Sequence, residues 1–208
     1  DERIDKPMDV FGPGWGDHAE RVKAAWTELV TDDDIVIIAG DISWGLKLDE
    51  AMADLDWIHE LPGQKVLLRG NHDLWWCRIQ YLRTLYDDMH FLQNDCYYVE
   101  ALDLAICGSR GWPTPDTVSY TEHDEKMYLR EQGRLRNSLV EAKKKGASRI
   151  IMAMHYPPAK VEETEFTRIM QEYGVTQCVY GHLHGMVAWT NGIKGEHGGI
   201  DYKLVSLD

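Results

Sequence analysis

Three stretches of the chain are apolar for about the length of a strand: Ile35-Val36-Ile37-Ile38-Ala39, Val66-Leu67-Leu68 and, after its first residue, Arg149 to Met154 (RIIMAM). A strand with both faces apolar belongs in a sheet covered on both sides, which is the parallel sheet of α/β folds. The segments between them carry helical periodicity. Val22, Ala25, Trp26 and Leu29 recur at helical spacing within Asp17 to Val30, with Asp17 and Glu20 placed like a capping pair. Leu48, Met52, Leu55 and Ile58 mark a second helix stopped by Pro62-Gly63, and Leu74 to Tyr86 reads as a third.

The middle of the chain departs from this alternation. Cys96 to Glu100 and Leu102 to Gly108 read as an antiparallel hairpin, followed by a long polar helix from about His123 to Lys145 with Gly146 as its stop. After a helix around Glu163 to Tyr173, Gln177 to Tyr180 is a short strand, and Ile200, Tyr202 and Leu204 alternate as in a half-exposed one. An α/β start with β additions predicts two layered sheets with helices on the outside.

Bulk properties narrow the function. The 208 residues suit one domain, and 44% hydrophobic and 27% charged residues are ordinary globular values. No apolar run approaches the roughly 20 residues of a membrane helix, and no signal-peptide pattern is visible. Cys77, Cys96, Cys107 and Cys178 have no CxxC spacing, which predicts reduced thiols and a cytoplasmic protein. A formal net charge of −13, spread along the chain, leaves no basic stripe for a nucleic-acid groove.

Four of the buried strands end in residues of metal-ligand type: Asp41; Asn71, His72 and Asp73; His155; and His182 with His184. Each alone has a structural explanation, as a helix cap, a turn or a packed loop histidine. The glycines flanking His182 and His184 suggest a close backbone approach there. Together the four strand ends would gather on the carboxyl rim of the sheet, where α/β proteins place their ligands. The mixed N/O donors suit Mn, Fe, Zn and related divalent ions, and the lack of nearby cysteine argues against a structural zinc cluster. His18, His59, His90, His123 and His197 lack this placement and read as surface or capping residues, while Trp44 is the tryptophan best placed to lean over the site.

At these residues the chain resembles the calcineurin-like metallophosphoesterase superfamily. Gly40-Asp41, Gly70-Asn71-His72-Asp73, His155 and Gly181-His182-Leu183-His184 appear in that family's motif order, and the surrounding phrases are similar to a bacterial branch of uncharacterised phosphoesterases. The resemblance implies a four-layer α/β/β/α sandwich of two mixed sheets flanked by helices. It implies a phosphoesterase acting on a small phosphate mono- or diester by in-line attack of a hydroxide bridging two divalent ions, with Mn favoured among Mn, Fe, Zn, Mg and Ni. In that scheme Asp41 bridges the ions, His184 sits on the first, and Asn71, His155 and His182 sit on the second. His72 faces the phosphate as acid or transition-state stabiliser, and Asp73 orients His72. Arg110 after a strand is a candidate phosphate clamp, and Trp44 is a candidate substrate contact.

One motif of the family is missing. Its Asp-x-His should close a first strand before Asp41, and nothing from Asp1 to Asp33 fits, so both are expected upstream of the first residue. Asp88-Met89-His90 has the spacing but follows GNHD and a helix, and is set aside. Three competing readings remain: a non-catalytic metal-binding scaffold of the same fold, a metallo-β-lactamase-like or amidohydrolase enzyme, and a single-zinc binder. The only HxH, His182-Leu183-His184, is C-terminal and lacks the downstream Asp-His of the second class.

Overall fold

The computed structural model describes residues 13–185 and 189–207 as two β-sheets packed face to face with helices on the outside. The smaller sheet holds β1 (Ile35–Ile38), β2 (Gln64–Leu68) and β3 (Met89–Leu92) in the order β1-β2-β3, both pairs parallel. The larger has six strands: β4 (Cys96–Val99), β5 (Leu104–Ser109), β6 (Arg149–Met154), β7 (Gln177–Tyr180), β9 (Ile200–Leu204) and β8 (Gly195–His197), in that spatial order. β5, β6, β7 and β9 run parallel, while β4 and β8 close the edges antiparallel. The expected mixed character therefore sits in the larger sheet, and the described strands of the smaller one are all parallel.

Three apolar clusters account for the four layers. Val66, Leu68 and Leu92 meet Ile106 and Ala153 between the two sheets. Leu55 and Ile58 of α2 (Leu48–His59) pack on the outer face of the small sheet with Leu67, Phe91, Trp75 and Trp76. Leu135 and Leu139 of α4 (Glu122–Lys145), with Phe166, Ile169 and Met170 of α5 (Glu165–Glu172), cover the outer face of the large one. The core strands are apolar on both faces because both faces are covered, as the uninterrupted runs demanded. No helix among the described residues is long and apolar enough to cross a membrane.

Local detail departs from expectation in several places. α1 (His18–Leu29) forms, but Asp17 takes φ 53 and makes no side-chain cap, so the expected pairing with Glu20 is absent. The helix expected over Leu74 to Tyr86 shrinks to α3 (Ile79–Leu82). Its first residues are drawn inward instead: the Trp75 indole donates to Asp73 Oδ1 at 3.0 Å and that of Trp76 to Gln93 Oε1 at 3.2 Å. Strand β3, hidden in the sequence by its polar flank, begins at the Asp88-Met89-His90 segment. That segment lies at the amino end of the parallel strands, the wrong end for an Asp-x-His motif of the rim. The long helix α4 is as read, with a Thr121–Asp124 capping box and Gly146 at φ 82 closing it. Of the four cysteines, Cys107 and Cys178 are buried, Cys96 is half-buried and Cys77 is exposed; all are free thiols.

Candidate metal centre

Two glycines allow the loops after β1 and β2 to touch. Gly40 has φ +89, and a Cβ there would lie 2.7 Å from the Gly70 Cα and 2.8 Å from His155 Nδ1. A Cβ on Gly70 would fall on the Asp41 backbone N and Oδ1. Gly-Asp and Gly-Asn-His-Asp are thus one interlocked unit rather than two separate turns.

Asp73 is the clamp of that unit. Fully buried, its carboxylate accepts from the backbone N–H groups of Asp41 (2.8 Å), Ile42 (2.8 Å), Ser43 (3.1 Å) and Gly70 (2.7 Å), and from the Trp75 indole (3.0 Å). Burial pushes the Asp73 carboxyl above its ordinary range, and the N–H bonds from Gly70, Ser43 and Ile42 pull against it. Among the described residues no hydrogen bond joins this carboxylate to the His72 ring. The expectation that Asp73 orients His72 is therefore corrected: both oxygens are spent on backbone N–H groups, and Asp73 positions the Asp41 loop.

Held this way, Asp41 adopts φ 56, and His182, after β7 of the other sheet, adopts φ 69. Non-glycine residues reach the left-handed region at a cost, and such strain clusters where side chains must be aimed. Asp41 Oδ1 accepts from the His72 backbone N–H at 2.8 Å, leaving Oδ2 to face His155 Nε2 at 3.4 Å. The His155 Nδ1–H donates to the Ala39 carbonyl at 2.9 Å, which leaves Nε2 as the lone-pair nitrogen of a neutral ring. That nitrogen lies 2.6 Å from Asn71 Oδ1, itself an acceptor, and 3.2 Å from His182 Nδ1, which is 2.9 Å from the same Asn71 oxygen.

Burial holds both imidazoles neutral near pH 7. Desolvation pushes His155 below its usual value despite the Asp41 carboxylate, and desolvation followed by the neighbouring His155 takes His182 to about 4. Asp41 Oδ2, Asn71 Oδ1 and His155 Nε2 therefore converge with no proton of their own, and a neutral His182 brings at most one. Acceptors facing acceptors repel unless a cation lies between them. The donor set of one carboxylate, one amide oxygen and two imidazoles fits a divalent ion.

The remaining predicted residues sit around this point. His72 is exposed, and its ring stacks on Trp44 at 5.1 Å between centroids and 19° between planes. His184 is exposed and meets Trp15 edge-on at 5.6 Å; it stands outside the convergent set. Arg110 follows β5 with its guanidinium 4.6 Å over the Trp112 ring. Its Nε is buried without a hydrogen-bond partner among the described residues, and it is close enough to depress the pKa of His155. Arg69 donates from Nε to the Asp73 carbonyl at 3.1 Å, a structural tie.

The sequence reading missed Tyr156, whose ring lies 4.2 Å from that of His182 and 5.3 Å from that of His155. An aromatic directly after the strand-end histidine was the available signal. The glycines around His182 and His184 divide in role. A Cβ on Gly181 would make only ordinary contact with Ala39, while Gly185 takes φ +76 in open space. The expected close approach belongs to Gly40 and Gly70 instead.

Fold and site together define a two-sheet α/β sandwich with a cation-ready donor cluster on the carboxyl rim of its parallel strands. The family profile of calcineurin-like phosphoesterases matches residues 13–186, and the chain belongs to that family, a family of metal-dependent phosphoric ester hydrolases. The chain is also similar, over shorter stretches, to the Gene 66 proteins of two mycobacteriophages. Identity is 44% over 57 residues for phage L5, covering 27% of each chain, and 38% over 71 residues for phage D29, covering 34% of each. The chain thus spans about a third or less of the length of these curated relatives.

Proposed function

We propose that the chain is a dinuclear metal-dependent phosphoesterase hydrolysing a small phosphate mono- or diester, with the whole chain acting as one catalytic domain. The observation that carries this reading is the convergence of Asp41 Oδ2, Asn71 Oδ1, His155 Nε2 and His182 Nδ1 with at most one proton, on His182, among them. Asn71, His155 and His182 would hold one ion, and Asp41 would share it with a second ion reached by His184. Mn is the favoured ion for such mixed N/O donors. Bound divalent ions would supply an acidified water for in-line attack and positive charge against the phosphoryl oxygens.

The chain's own residues supply the rest. His72, exposed beside Asp41 and held flat against Trp44, would donate a ring proton to the departing ester oxygen. Arg110 would direct guanidinium N–H groups at a phosphoryl oxygen, and its unpartnered Nε favours that use over a structural one. Asp73 touches no substrate; by holding four backbone N–H groups it keeps Asp41 aimed.

The test is hydrolysis of bis-p-nitrophenyl phosphate and p-nitrophenyl phosphate by the full chain, stripped of metal and then given Mn²⁺, beside Asp41→Ala. Metal-dependent turnover lost in the variant is the expected result, and the preferred ester separates diesterase from monoesterase. Metal binding without turnover on either ester would replace the enzyme with a metal-binding scaffold of the same fold.

A further inference from the structure

Cys96 and Cys107 are direct partners across the antiparallel β4–β5 pair. Directly opposed residues on such a pair present their side chains on one face with Cβ atoms about 4.5–5.5 Å apart, at the outer edge of what a disulfide spans. Both thiols pack into the same apolar cluster under α4, Cys107 fully buried and Cys96 half-buried at the edge strand. The two neighbouring thiols perturb one another, so that the Cys96 pKa is lowered and that of Cys107 is raised. Cys107 also lies 3.5 Å from the Ser138 carbonyl, to which its S–H donates. The other two thiols lack this arrangement: Cys77 is exposed, and Cys178, fully buried, has its pKa raised by burial alone.

We propose that Cys96 and Cys107 form an oxidation site that closes to a cross-strand disulfide when the protein meets a low-molecular-weight dialkyl disulfide such as oxidised glutathione. The accessible Cys96 thiolate attacks one sulfur of the oxidant, displacing a glutathione thiolate and leaving a mixed disulfide. The Cys107 thiol passes its proton to that thiolate and attacks the Cys96 sulfur, displacing the second glutathione. Two protein thiols are oxidised by two electrons, one disulfide bond of the oxidant is broken, and two glutathione thiols are released. The step uses none of the rim residues, so it stands apart from the phosphoesterase reading.

The experiment exposes the native full chain to oxidised glutathione, quenches by alkylation, and maps unreduced peptides after cleavage at Glu100, which lies between the two cysteines. The expected product is a Cys96–Cys107 crosslink, formed roughly tenfold or more faster than any pairing with Cys77 or Cys178. Cys107→Ser should instead trap glutathione on Cys96, and Cys96→Ser should leave Cys107 unmodified. A lasting glutathione adduct on Cys96 of the unaltered protein overturns the proposal. So does a native protein in which Cys77 reacts while Cys96 and Cys107 remain reduced.

Discussion

The two ends of the parallel strands each gather histidine and aspartate, and they do so for opposite reasons. On the carboxyl rim stand Asp41, His155 and His182; at the amino end stand His59, Asp87 and Asp88. In the second group the chain supplies its own cation. Lys65, only 2% exposed, places its ammonium 2.5 Å from Asp88 Oδ2, and His59 Nδ1 lies 2.7 Å from Asp88 Oδ1. Lys65 also donates to the Leu61 carbonyl. Burial would raise the Asp88 carboxyl, yet the bonds from Lys65 and His59 hold it below its usual range. On the rim no ammonium or guanidinium among the described residues bonds Asp41, Asn71 or His155, and their lone pairs face one another. Residue types in proximity do not make a metal site; acceptors left without a donor do.

Substitutions at the two ends should therefore fail differently. The largest expected effect is His72→Ala, which should lower turnover about 10²–10⁴-fold with bound metal unchanged, as loss of a proton donor does. Loss of metal along with activity would make His72 a ligand. At the opposite end, Asp88→Ala should leave turnover per folded molecule unchanged but cost about 3 kcal/mol in denaturant unfolding, because Lys65 stays buried without its counter-charge. An unchanged unfolding midpoint would show that the pair is not a structural tie.

Acid sharpens the contrast. The folded pKa values of His155 and His182 lie below the ordinary 6.5, with His182 at about 4, so the unfolded chain takes up protons first as pH falls. Metal-free protein should lose on the order of 1–3 kcal/mol between those two values, and His182→Ala should flatten that slope. The Asp88 contribution, from a carboxyl whose pKa is lowered, is present above the ordinary 3.8 and is lost only as pH falls through its folded value. A metal-free stability curve flat above pH 4 would contradict neutral, buried rim imidazoles. The smallest effect is expected at Trp44→Ala, which removes one stacked ring worth about 0.5–1.5 kcal/mol and should lower turnover about 2–10-fold without releasing metal.

The candidate site was readable in the sequence because its residues sit where uninterrupted apolar runs stop. Asp41, Asn71, His155 and His182 each follow such a run within a few positions, and the fold needs only to align strand ends to bring them together. What stayed hidden depends on contacts between distant segments. The carboxylate of Asp73 is spent on backbone N–H groups about 30 positions upstream, which no local pattern announces. The helix expected over Leu74 to Tyr86 yields to two tryptophans whose indole donors find Asp73 and Gln93. Strand β3 has only four residues, and His90 breaks its apolar pattern; its pairing with β2 makes it a strand.

The most direct measurement is a calorimetric Mn²⁺ titration of the metal-stripped full chain alongside Asp41→Ala and Asp88→Asn. The rim assignment predicts saturable binding that Asp41→Ala abolishes and Asp88→Asn leaves intact. Binding that survives in Asp41→Ala and disappears in Asp88→Asn would move the metal to the amino end and contradict the account.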